Sequence, residues 1–183
     1  MRERLDAASC FVLVIDLQER LVPAMAGAEM TAALRAARVV VEGARPFDVP
    51  VLASEQYPKG LGSTVPEVAS LLPSPPLPKL EFSAWANPEL RATMVATGRR
   101  TAVLLGVEAH VCVLQTALDL LHEGYVVHVV ADGVASRSPA DRATALELLR
   151  GAGAVITVSE SVVFQWCGRA GTDAFKVVSR LVR

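Results

Sequence analysis

Continuous apolar runs alternate along the chain with segments whose apolar residues recur every three or four positions, and this alternation predicts strands separated by helices. Residues 10–15, Cys-Phe-Val-Leu-Val-Ile, form the first run, and Asp16 follows where a buried strand would end. Residues 17–23 hold no period and predict an irregular segment. From 28 to 44, Leu34, Ala37, Val40 and Val41 share one helical face, with Arg35, Arg38 and Glu42 mostly on the other. A second strand is predicted at 49–54, with Pro50 tolerated at its start. Glycine and proline make 55–67 a loop and 73–78 a connector, and 79–85 predicts a short strand leading into another loop. Asn87-Pro-Glu then has the order of a helix start: a capping side chain, proline in the first turn and an acid behind it. That helix is expected to stop at Gly98. A buried strand at 101–106, a helix to Gly124, a strand at 125–131 ending on Asp132, a helix from Ser138 to Gly151, a strand at 153–157 and helices at 161–166 and 172–181 complete the pattern. Strands that are apolar throughout belong to a sheet covered on both faces. The expected class is α/β, a three-layer α/β/α arrangement around a mostly parallel, doubly wound sheet, in a single domain over 1–183.

Composition narrows the functional classes. An apolar fraction of 52% fits a doubly covered sheet and an oligomer interface, so a homo-oligomer, dimer or larger, is expected. With 18 basic against 19 acidic residues, there is no electrostatic footprint for nucleic acid or an anionic membrane, and neither partner is expected. Three cysteines, at 10, 112 and 167, make no disulfide framework, and the chain opens Met1-Arg-Glu-Arg4 rather than with an apolar leader. A reduced, cytoplasmic protein is expected. No apolar run approaches the roughly 20 residues of a membrane helix.

Chemistry concentrates in residues 104–121, where a buried strand passes through a tight turn into a helix with Cys112 near its start. Unpaired N–H groups and partial positive charge at a helix start favour a thiolate, although a cysteine beside an apolar helix also serves as packing. Asp16 reads either as a turn cap or as an acid at a strand's carboxyl end, where α/β sheets gather their functional groups. Lys79 stands among apolar residues, either reaching to solvent from a strand end or holding an anion. Phosphate-cradling glycine motifs are missing, and His110, His122 and His128 have no metal-pair spacing. No cofactor and no metal are expected. A nucleophile, a cation and a carboxylate together are what thiol-based acyl chemistry needs, with backbone N–H groups before Cys112 placed to form an oxyanion hole.

The segments Leu13-Val-Ile-Asp16-Leu-Gln, Pro78-Lys79 with Phe82 and Trp85 beyond, Gly106-Val-Glu-Ala-His-Val-Cys112-Val, Ala131-Asp132 and Ser136-Arg137 resemble, in order, those of the isochorismatase-like cysteine hydrolase family, which includes nicotinamidases. The resemblance implies a six-stranded parallel sheet carrying a triad of Asp16, Lys79 and Cys112. It also implies a non-proline cis peptide at Val107-Glu108, with the N–H groups of Glu108 and Cys112 facing an oxyanion. The roles implied are proton transfer for Asp16, orientation for Lys79 and attack on a carbonyl carbon for Cys112. Nicotinamidases hold a metal on Asp and His in the loop after the second strand; this loop has no histidine and looks like that of the isochorismatase-domain hydrolases. The expected activity is a metal-independent amidohydrolase acting on a small amide or acyl compound through a thioester. Alternatives are a vinyl ether hydrolase using Asp16 as acid and a catalytically silent oligomeric binding protein. Expected pocket residues are Gln18, Gln56, Tyr57, Phe82, Trp85, His110 and Gln115.

Overall fold

A computed structural model describes residues 4–183, so the polar opening 1–3 lies outside the described residues. Its sheet has six strands, all parallel: β1 (Cys10–Ile15), β2 (Val51–Gln56), β3 (Leu77–Lys79), β4 (Thr101–Val107), β5 (Val126–Ala135) and β6 (Val155–Thr157), in the order β3-β2-β1-β4-β5-β6. The apolar runs become strands because parallel strands between helical layers bury both faces. On β1, Val12 and Val14 face one layer while Phe11, Leu13 and Ile15 face the other. The first layer holds α1 (Gly27–Ala44), α7 (Ser159–Cys167) and α8 (Asp173–Leu181); the second holds α4 (Pro88–Ala96), α5 (Leu114–His122) and α6 (Pro139–Ala152). The expected three-layer class is the observed one. Among the described residues, no helix is long and apolar enough to cross a membrane.

Chain order runs outward from β1 in one direction and then, from β4, in the other, which leaves a cleft between the carboxyl ends of β1 and β4. Several boundaries move relative to the sequence pattern. β2 begins and ends two residues later than expected, because its polar end Ser54-Glu-Gln56 pairs with Leu77, Pro78 and Lys79 of β3. Strand β3 overlaps the segment expected to be a strand only at Lys79, and 80–87 is bends and turns; as an edge strand it tolerates Pro78. The expected loop at 55–67 holds a single-turn helix, α2 (Pro58–Leu61), and the start of a second, α3 (Pro66–Ala69), each opened by a proline. Strand β5 continues past Asp132, whose carboxylate instead receives Ser159 N at 2.8 Å and Ser159 Oγ at 2.6 Å at the start of α7. Asn87 caps α4 as its sequence predicts, accepting from the N–H groups of Glu89 and Leu90.

One glycine is indispensable to this arrangement. Gly106 has φ +120°, and a Cβ there would lie 2.0 Å from the carbonyl oxygen of Ile15, since β1 and β4 pair at these two residues. Gly106→Ala should lower stability by about 3 kcal/mol or more, because backbone rather than a pliable side chain must give way. Urea unfolding checks this; an unchanged midpoint would contradict the close approach.

Candidate active site

Strand β1 stops at Ile15 and Asp16 turns into the left-handed region, φ 53°, with its side chain over the sheet's carboxyl edge. Its two oxygens have separate donors: Ser54 Oγ at 2.7 Å from Oδ1, and Lys79 Nζ at 2.7 Å from Oδ2. Lys79 reaches it from β3, and both side chains are fully buried. The ammonium also donates to Gln56 Oε1 at 2.6 Å and to the carbonyls of Phe82 and Glu81 at 3.2 and 3.3 Å. Of the two readings that its sequence leaves open, Lys79 is a buried cation holding an anion. A charge pair removed from water survives only when its remaining hydrogen-bonding positions are occupied, and here they are.

After β4, which ends at Val107, the Val107-Glu108 peptide is cis, and the chain winds one π-helical turn, Ala109–Val113, before α5 begins. Cys112 lies inside that turn, 6% exposed, with Sγ 3.9 Å from Gln56 Oε1. Its thiol is pushed up to about 12, first by burial and then by the negative charge of Asp16, against the smaller opposing pull of Lys79. The sequence suggested a thiolate held by a helix start. Winding begins three residues before Cys112, at Ala109, so the residue lies near a helix start as expected, but its sulfur is buried beside a carboxylate, and both push the thiol up rather than down.

The expected pocket residues separate. Gln56 belongs to the buried polar cluster. Gln18 is a buried clamp rather than a wall, accepting from Gln56 N at 2.7 Å and donating to the carbonyls of Gln56 and Gly62 at 3.0 and 2.7 Å. Tyr57 and Phe82 are about half exposed beside the Lys79 strand, where Tyr57 N donates to the Lys79 carbonyl at 2.8 Å. Trp85 packs edge-on against Tyr125, ring centroids 5.3 Å apart, as part of the core. His110 Nδ1 lies 3.0 Å from Ser136 Oγ, and Gln115 is exposed on α5. Glu108 is held by Arg137, through N at 3.2 Å and Nε at 3.0 Å. Sequence reasoning missed Ser54, although a polar residue at a strand's carboxyl end was the signal that singled out Asp16. Among the described residues, no group of three or more His, Cys, Asp or Glu could hold a metal ion. A cavity of about 590 Å³ opens at the opposite, amino-terminal end of the sheet beside Thr101, Tyr125 and His128, away from this cluster.

Residues 10–161 match the isochorismatase domain. The chain is 42% identical over 182 residues to isochorismatase domain-containing protein 1 of Danio rerio, covering 98% of this chain and 62% of that protein, so it spans about three-fifths of that relative's length. Two solved structures are similar along nearly the whole chain. One, described as MAR1 ribonuclease from Caenorhabditis elegans, has 36% identity and a TM-score of 0.91, covering 98% of this chain and 92% of its own. The other, YcaC from Pseudomonas aeruginosa with hexane-2,5-diol and covalent acrylamide, has 26% identity and a TM-score of 0.87, covering 97% and 91%.

Opposite charges around the thiol have opposite consequences. Asp16→Asn removes a charge that raises the thiol, so the pH profile of Cys112 alkylation by iodoacetamide should move to lower pH, whereas any turnover that uses Asp16 as a base is lost; Lys79→Met removes the opposing charge and should move the profile to higher pH. Either change leaves a buried partner uncompensated and should cost about 3–5 kcal/mol of stability. Adduct mapping across a pH series, with thermal melts alongside, checks both signs.

Proposed function

The chain belongs to the isochorismatase family, and from that premise we propose that it is a metal-independent cysteine hydrolase acting on a small amide or related acyl compound. One observation carries this reading: the buried Asp16–Lys79 pair, 2.7 Å apart, lies against the Cys112 thiol at the sheet's carboxyl edge. The P. aeruginosa neighbour, solved with covalent acrylamide, also supports a nucleophile, since acrylamide is an electrophile.

A thiol pushed up to about 12 holds its proton at neutral pH, so attack must be coupled to proton transfer. Asp16 accepts the S–H proton as Sγ bonds to the carbonyl carbon. The negative oxygen that forms faces the N–H groups of Glu108 and Cys112, the oxyanion hole of this reading. Collapse breaks the C–N bond, and Asp16 returns the proton to the departing amine. Water then attacks the thioester, giving a proton to the same carboxylate; the acid leaves and the proton returns to sulfur. Lys79 keeps the carboxylate aimed through both halves. Half-exposed Tyr57 and Phe82 stand at the rim, with His110 and Gln115 on the thiol's side, as substrate contacts.

The description of the C. elegans neighbour as a ribonuclease makes RNA cleavage the second reading. Formal net charge of −1 offers a polyanion little attraction.

Cys112→Ala should lower ammonia release from a panel of small amides by at least about 10³-fold, the loss expected when a nucleophile is removed. Turnover that survives the substitution would sink the mechanism, and cleavage of RNA that depends on Cys112 would replace it with the second reading. Leu80 and Phe82, 72% and 54% exposed beside the site, favour a homo-oligomer, so light scattering should give the mass of two or more protomers; a monomer at micromolar concentration would contradict this.

A further inference from the structure

Gln56 has more contacts with the reactive cluster than a pocket wall would need. Its backbone is clamped on both sides by Gln18, and its Nε2 donates to the Leu80 carbonyl at 2.8 Å. With the amide nitrogen committed there, the oxygen can point only the other way. It accepts from Lys79 Nζ at 2.6 Å, and Cys112 Sγ lies 3.9 Å from it, within reach of a weak sulfur hydrogen bond, with Asp16 the thiol's other acceptor. The residue is 8% exposed, so the amide is buried with its donor and acceptor both in use. Asp16 can take a proton; an amide oxygen can accept a hydrogen bond but cannot be protonated at working pH.

We infer that Gln56 is a positioning residue of the thiol site: its side-chain oxygen, aimed by the bond to Leu80, fixes the Lys79 ammonium against Asp16 and holds the Cys112 S–H in its resting position. This inference rests on the reading of Cys112 as the nucleophile. The amide oxygen favours the protonated sulfur, because a thiolate would face its lone pairs, and it occupies an ammonium hydrogen that could otherwise turn to sulfur. The charged groups acting on the sulfur are Asp16, beyond β1, and Lys79, at the end of β3. Gln56, at the end of β2, lies between the lysine and the thiol.

Two near-isosteric variants separate this from a structural role. Gln56→Met removes the acceptor and should speed iodoacetamide alkylation of Cys112 at pH 7 by about tenfold, moving the pH profile down by about one unit. Gln56→Glu places a second carboxylate beside the sulfur and should shift rate and profile comparably in the opposite direction. Adducts are mapped by peptide mass spectrometry between pH 7 and pH 10.5, with circular dichroism and melting curves for each protein. Opposite shifts in folded variants support the inference; a folded Gln56→Met with the wild-type profile overturns it. Loss of folding in both variants also overturns it, because Gln56 would then serve the fold. A wild-type Cys112 that is not alkylated at any pH would overturn the nucleophile reading and this inference with it, an outcome distinct from an unchanged profile.

Discussion

The Asp16–Lys79 ion pair constrains the structure more than any other contact described. Neither charge is tolerable alone in the interior, and even together they need further partners, because each loses a hydration shell that one contact cannot replace. Ser54 supplies a donor to the carboxylate, while Gln56 and the carbonyls of Glu81 and Phe82 accept from the ammonium. These groups come from the ends of three strands and the segment after the third. Satisfying the pair therefore fixes the register of β1, β2 and β3 at their carboxyl edge. It also explains a three-residue edge strand containing proline, whose last residue is Lys79.

The thiol reaches the same place from the other half of the sheet. The reversal of strand order puts β4 beside β1, so the turn after β4 opens over the end of β1. Close pairing at Ile15 and Gly106 leaves no room for a side chain at that point. The π-helical turn then carries Cys112 down into the cleft instead of presenting it to solvent. Burial and the neighbouring carboxylate together push the thiol up.

Burial separates the residues whose sequence suggested pocket walls. Gln18 and Trp85 are occupied, one in clamping backbone and the other in packing on Tyr125. Tyr57 and Phe82 remain half exposed. The segment between β3 and α4 is held on α5 through Ser83 to Asp119 at 2.6 Å and Ala84 N to Thr116 Oγ1 at 2.9 Å, which keeps Phe82 near the thiol's helix. The polar side chains nearest the thiol are thus internal groups of the protein.

The sequence by itself determined the α/β class, because unbroken apolar runs can be buried only between two layers, and it determined most helix starts, because capping and proline rules act within a few residues. It marked Asp16 by its place at a strand end and Cys112 by the strand-turn-helix pattern around it. Only the tertiary structure decided what Lys79 was for, since a cation at an apolar strand end reads alike whether it reaches water or a carboxylate 63 positions away. The ends of β2 and β3 were equally illegible: Glu55, Gln56 and Pro78 weaken a strand signal, and pairing of the two strands overrides it. The state of the thiol was beyond sequence for the same reason. Local pattern favours a thiolate at a helix start, whereas desolvation and a charge delivered from another strand reverse the preference, and those depend on how the chain packs.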